Sequence, residues 1–169
     1  VDATCGNGHD TAFLAQAVGP AGLVFGFDVQ EAAIAATLRR VNDAVPAEGR
    51  PQLRLLRGCH SRIPEEVAGG SARLVCFNLG YLPSADRAIA TQRETTLAAI
   101  EGALRVVMPG GLLSVMCYTG HPGGMEEYEA VRRLLRGLEP QYYTCVETCL
   151  VNRPTAPILQ LAWKSTDAT

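Results

Sequence analysis

The chain has 169 residues, 47% hydrophobic and 19% charged, with 15 Lys and Arg against 17 Asp and Glu for a formal net charge of −2. That is enough chain for one domain with a full core, and it has no apolar run of the ~20 residues that a membrane span requires. The near-neutral balance excludes a broad basic face for nonspecific nucleic-acid binding, though not a local basic patch.

Short apolar runs alternate with amphipathic segments, the pattern of βα units on a parallel sheet. Residues 1–4 read as the tail of a strand, followed by a Gly-rich turn and a helix over 9–18. A strand follows over 23–28, with Gly19, Pro20 and Gly22 marking the turn before it. An alanine-rich helix over 31–44 is ended by Pro46 and Gly49. Further strands are expected at 52–56 and 73–77, then a long helix over 87–107. Pro109, Gly110 and Gly111 read as a turn into a strand at 112–118. After a helix over 124–138 come two strands, 142–150 and 158–164, joined by the Asn152-Arg153-Pro154 loop with no helix between them. Such a pair is antiparallel, because a parallel crossover needs about a dozen residues or more. The expected fold is a single α/β domain, a mostly parallel Rossmann-like sheet closed by a C-terminal antiparallel hairpin.

Cys5, Cys59, Cys76, Cys117, Cys145 and Cys149 are scattered without a CxxC pair, which fits buried free thiols better than disulfides or a zinc site. No metal is expected. The chain opens on Val1, directly into a motif, so residues upstream are expected. Its compartment is therefore not readable: cytoplasmic in a bacterium, organellar if a targeting segment precedes it.

The opening stretch VDATCGNGHD places Asp2, Thr4, Cys5, Gly6, Asn7, Gly8 and Asp10 between a strand and a helix start. Glycines in such a turn let the backbone approach a ligand closely, although an ordinary βα turn uses them too. Asp28, about twenty residues on at the end of a strand, is placed to accept both ribose hydroxyls, with Val29 and Gln30 beside it. Together they indicate a nucleoside site. Thr11 stands where a dinucleotide fingerprint has Gly or Ala, and Asp2 suits a cationic ligand better than a pyrophosphate. Cys59 and His60 follow the next strand, either as base contacts or as the cap of the helix that Ser61 and Pro64 begin.

NLGYLP follows a strand on the ligand-binding edge of the sheet, and Tyr118, Gly120 and His121 end another strand on the same edge. Tyr81 is either a base-stacking aromatic or a core residue of a turn, and His121 either meets substrate or shapes its loop. Arg87 and Arg93 are candidates for phosphate contacts, whereas Arg132, Arg133 and Arg136 read as a solvated face.

The terminal hairpin and the Asp-then-glycine turn resemble the class I S-adenosylmethionine-dependent methyltransferases, with Thr4 in place of the first motif glycine. More specifically, DATCGNGHDT, GFDVQ, FNLGYLP, the Thr95-Thr96 pair and YTGHPGG resemble, in order, the MnmM-like family once labelled "putative rRNA methylase". This resemblance covers essentially the whole chain. It implies S-adenosylmethionine as cofactor, held by Asp2, Thr4, Cys5, Gly6, Asn7, Gly8, Asp10, Thr11, Asp28, Val29, Gln30, Cys59, His60 and Asn78. It implies N-methylation of the aminomethyl group of wobble uridine 34, with the tRNA anticodon region as partner. NLGYLP lies where amino-methyltransferases carry N/D-P-P-Y, with Leu79-Gly80 replacing Pro-Pro. That position implies that Asn78 and the next carbonyl accept hydrogen bonds from the amine while Tyr81 stacks on the base. Leu79, Gly80, Arg87, Tyr118 and His121 are the further substrate-side candidates. An rRNA or small-molecule amine substrate, an NAD-dependent oxidoreductase and a noncatalytic RNA-binding module remain the alternatives. The oligomeric state stays open, a homodimer included.

Overall fold

The computed structural model describes residues 1–80, 91–153 and 155–167, and the chain packs as two units, Val1–His60 and Ser61–Thr169. Tyr81, Arg87 and Pro154 lie outside the described residues.

In the first unit, helix α1 (His9–Val18) leads to strand β1 (Leu23–Asp28), helix α2 (Glu31–Ala44) and strand β2 (Gln52–Arg57). β1 and β2 run parallel, in register from Leu23↔Gln52 to Asp28↔Arg57, and Asp2 bridges to Gly26 of β1 in the parallel sense. Val24, Phe25 and Phe27 of β1 are all buried, as in a strand covered on both faces. Gly26 makes room among them: a Cβ there would lie 2.6 Å from Cys5 Sγ and 2.8 Å from Leu55 Cδ2, so those side chains would have to shift. Small residues let the two helices approach: Ala12 and Ala15 of α1 cluster with Val41 of α2, Val45 and Leu53. The chain leaves α2 at Val45-Pro46, where proline cannot continue a helix.

The second unit contains the short helix α3 (Ile63–Glu66), β3 (Ala72–Leu79), α4 (Arg93–Val106), β4 (Val107–Cys117), α5 (Gly124–Arg136), β5 (Tyr143–Thr148) and β6 (Ile158–Lys164). Its strand order is β3-β4-β6-β5. β3 and β4 are parallel, whereas β6 runs antiparallel to both β4 and β5. β5 is thus parallel to β4, connected to it through α5, and the last strand inserts between them as the antiparallel member. Val75, Phe77 and Leu79 of β3 and Leu113, Val115 and Cys117 of β4 alternate into the core. Lys164, the only lysine, donates from Nζ to the Leu104 and Val107 carbonyls at 3.2 and 3.0 Å, satisfying the end of α4.

Several expected boundaries move. Pro109, Gly110 and Gly111 do not separate a helix from a strand: β4 starts at Val107, directly after α4. The turn residues are absorbed as an irregularity, the register jumping from Ala72↔Val107 to Leu74↔Leu112, with Gly110 at φ 76°. α4 begins at Arg93 rather than Arg87. The six cysteines are free thiols, but only Cys5 and Cys117 are buried: Cys59 and Cys76 are half-buried, Cys145 on the outermost strand β5 is exposed, and so is Cys149 just beyond it. Among the described residues no helix is long and apolar enough to cross a membrane.

Candidate functional site

The first unit gathers Asp2, Thr4, Gly6, Asn7, Gly8, Thr11, Asp28, Gln30 and His60 around the turn between Asp2 and α1. Gly6 and Gly8 hold positive φ values of 52° and 79°. A Cβ on Gly8 would stand 2.6 Å from the Thr37 Cα, so the turn is pressed against α2 as closely as a glycine permits. Two α2 residues brace it: Thr37 Oγ1 donates to Gly6 O at 3.3 Å, and Arg40 Nε donates to Asn7 O at 2.6 Å.

Asp28 ties the turn to the end of β1. Its Oδ2 accepts the Gly6 N–H at 3.0 Å and its Oδ1 the Gln30 N–H at 2.9 Å. Each carboxylate oxygen keeps a further lone pair, and the residue is only half-buried. Asp2, by contrast, is fully buried. Thr11 Oγ1 donates to its Oδ2 at 2.5 Å and the Thr4 N–H to its Oδ1 at 3.1 Å, so its carboxylate organises the turn from within. Burial pushes this carboxyl up to about 6, with the exposed Asp10 adding a smaller push against the two hydrogen bonds. Burial likewise pushes the Cys5 thiol far up, which makes it an inert packing group. His60 is buried, and desolvation lowers its pKa against opposing contributions from the Ala3 backbone and the Asp28 charge. Cys59 is half-buried beside it, and Val29 is exposed.

The second unit brings Asn78, Leu79, Gly80, Tyr118 and His121 to the carboxyl ends of the adjacent parallel strands β3 and β4, where Asn78 is in register with Met116 and Leu79 with Cys117. Gly80 turns the chain at φ 140°; a Cβ there would lie 3.5 Å from His121 Nε2 and 3.7 Å from Tyr118 Cβ. The His121 ring also lies against Gly124, whose hypothetical Cβ would come 2.9 Å from Nε2. Its Nδ1–H donates to Pro122 O at 3.0 Å, so in the neutral ring Nε2 carries the lone pair. Tyr118 is exposed. Arg93, also exposed, pairs with Glu94 at 2.7 Å, and Arg132 and Arg133 pair with Glu147 and Glu129 on the surface.

Sequence reasoning missed a buried carboxylate in this unit. Glu127, 3% exposed, accepts from Thr96 Oγ1 at 2.6 Å and from Thr91 Oγ1 at 2.8 Å. Thr91 in turn holds Gly80 on both sides: its Oγ1 accepts the Gly80 N–H and its own N–H donates to Gly80 O, each at 2.8 Å. Thr37 and Arg40 were missed as well. All of them lie in helices or beside them, where the residue type alone announces nothing.

Residues 24–164 match the model of a family described as "Putative rRNA methylase". A protein of Arabidopsis thaliana named "tRNA (mnm(5)s(2)U34)-methyltransferase, chloroplastic" is 40% identical over 97% of this chain. The chain spans 62% of that relative's length. A crystal structure from Clostridium thermocellum described as a "putative rRNA-methylase" superposes with a TM-score of 0.90 at 39% identity, covering 96% of this chain and 86% of that one. A "putative methyltransferase" from Streptococcus mutans in complex with SAH gives 0.82 at 36% identity, covering 96% and 86%. The fold is therefore that of the Rossmann-like class I methyltransferases.

Proposed function

The chain belongs to the rRNA methylase family, and from that premise we propose that it is an S-adenosylmethionine-dependent N-methyltransferase acting on the aminomethyl group of wobble uridine 34 in tRNA. The observation that carries the reading is the Asp28 arrangement. One half-buried carboxylate fastens the Gly6 turn and Gln30 through two backbone N–H groups while retaining acceptor capacity for a ribose diol. The close Gly8–Thr37 contact supports the same reading, since the turn is shaped by backbone alone. These residues fit the cofactor: Asp28 would hold the ribose, Gly6 to Gly8 would flank the amino-acid part, and Cys59 and His60 would border the base. When bound, the cofactor supplies an electrophilic methyl on a sulfonium.

On the acceptor side, Asn78 and the Leu79 carbonyl would take the two N–H groups of the incoming amine, leaving its lone pair free for attack. Tyr118 and His121 would flank the nucleotide, and Tyr81 would stack on the base. An aliphatic amine of pKa roughly 10 arrives protonated. Desolvation and a neighbouring cation both favour its neutral form. The Asn78 amide cannot accept that proton, so the proton passes to water before attack. The compartment follows the translation machinery served, a bacterial cytoplasm or an organelle such as the chloroplast named for the Arabidopsis relative.

The test is incubation with S-adenosylmethionine and tRNA carrying 5-aminomethyl-2-thiouridine, followed by nucleoside mass spectrometry. Conversion to the methylaminomethyl nucleoside is expected. Methylation confined to rRNA or to a free amine would replace the substrate assignment, and calorimetric binding of NAD in preference to S-adenosylmethionine would sink the reaction class.

A further inference from the structure

We propose that Glu127, acting through Thr91, is a positioning residue for the acceptor site, setting the direction of the Leu79 carbonyl. The inference rests on the amine-methyltransferase reading above and extends it to residues that do not touch the substrate. Leu79 C=O and Gly80 N–H belong to one planar peptide unit, and in a trans peptide the two bonds point to opposite sides. Fixing the N–H therefore fixes the carbonyl. The Gly80 N–H is held by Thr91 Oγ1 at 2.8 Å. A threonine hydroxyl has one proton to give, and here it goes to Glu127 Oε2 at 2.8 Å, which leaves an oxygen lone pair to face Gly80. The Thr91 N–H closes the same pair by donating to Gly80 O at 2.8 Å.

Glu127 is itself held in place. It is buried in the first turn of α5, where the helix dipole favours a negative charge, and its other oxygen takes the Thr96 hydroxyl at 2.6 Å. A carboxylate accepts from both hydroxyls at once, so both threonines are forced into the donor role toward it. The chain Thr96–Glu127–Thr91–Gly80 then defines one orientation of the Leu79–Gly80 peptide, one residue beyond Asn78. Gly80 accommodates this with φ 140°, which a side chain rarely adopts.

The experiment compares wild-type protein with Thr91→Val, Thr91→Ser and Glu127→Gln. Methyl transfer to 5-aminomethyl-2-thiouridine tRNA is measured alongside calorimetric titration with S-adenosylhomocysteine and hydrogen exchange at the Gly80 amide. Thr91→Val keeps the shape but loses the hydroxyl. It is expected to lower kcat about 10- to 100-fold with cofactor affinity within twofold, and Thr91→Ser to restore most of the rate. Glu127→Gln is expected to speed Gly80 exchange at least about tenfold while the Val75 and Phe77 amides of β3 stay protected, a readout that needs no turnover. Wild-type turnover with Thr91→Val retaining kcat, or Gly80 exchange unchanged in Glu127→Gln, overturns the positioning role alone. A wild-type protein inactive on the tRNA while its Gly80 amide is protected overturns the amine-methyltransferase reading, and the role in catalysis with it.

Discussion

The Thr11 hydroxyl donates a 2.5 Å hydrogen bond to the carboxylate of Asp2, a side chain with no solvent exposure, across the turn that opens the first unit. The turn is thus organised around an acid whose charge is costly, and this gives it a pH dependence of definite sign. Asp2 has its carboxyl raised from 3.8 to about 6, chiefly by burial. A raised folded-state value means that the protonated form favours folding. Its contribution is fully present below about pH 4 and lost as pH rises through 6, a difference of roughly 3 kcal/mol. Urea unfolding of wild type and Asp2→Asn at pH 4 and pH 7.5 checks this. The gap in stability between the two should shrink or reverse at the higher pH; a gap that widens would contradict the assignment.

Gly8→Ala is expected to damage the same turn by a steric route. The new Cβ would sit at φ 79° and 2.6 Å from the Thr37 Cα, a backbone atom that cannot swing aside. Gly70 supplies the comparison, with φ 65° and open space where its Cβ would go. Gly70→Ala should cost only the left-handed penalty, about 1–2 kcal/mol, and leave cofactor affinity alone. Gly8→Ala should cost more stability and weaken S-adenosylhomocysteine binding at least about tenfold, as read by calorimetry. Equal binding by the two variants would show that the turn does not carry the cofactor.

Thiol chemistry should separate the cysteines by position. Burial, with the Glu127 and Glu147 charges nearby, pushes Cys117 from 9.0 up to about 12, which reduces its thiolate about 1,000-fold at neutral pH. Cys5 is pushed up by burial too, whereas Cys149 is exposed at the end of the edge-strand region. Timed iodoacetamide labelling of the native protein with peptide mass spectrometry should find Cys149 modified first and Cys5 and Cys117 only after denaturation. Early labelling of Cys117 would mean that the β4 core opens readily.

What the sequence made legible follows from punctuation and periodicity. α1, β1, α2 and β6 begin and end where expected because glycines, prolines and a clean apolar period frame them. β4 resisted because Pro109-Gly110-Gly111 reads locally as a turn, while pairing with β3 absorbs it as an irregularity, and only the partner strand can reveal that. At the candidate site, strand-end residues such as Asp28 and Asn78 were readable because strand ends and glycines advertise them. Thr37 and Glu127 were not, although a signal existed. Thr37 is in phase with Ala33 and Val41 on α2, and Glu127 with Val131 and Leu135 on α5; all six are buried. A polar residue at the fourth position of an apolar helical stripe needs a partner in the core, and the partner comes from elsewhere in the fold. For Glu127 the charged run MEEYE masks that phase.

Asn78, half-buried at the carboxyl end of β3, gives the sharpest test of the acceptor chemistry because its two simplest replacements diverge. Asn78→Ala removes the side-chain acceptor, and kcat should fall about 100-fold or more while the S-adenosylhomocysteine affinity stays within a few-fold. Asn78→Asp keeps an acceptor oxygen but adds a negative charge beside the proposed position of the amine. That charge favours the ammonium form and raises the bound amine's pKa. Since only the neutral amine attacks, the aspartate variant should be slow at pH 7 and recover as pH rises, its rate profile displaced to the alkaline side of wild type. The measurement is the single-turnover methylation rate from pH 6.5 to 9.5 for all three proteins. An aspartate profile parallel to wild type would place the amine away from Asn78, and an alanine variant with wild-type kcat would remove Asn78 from the acceptor site.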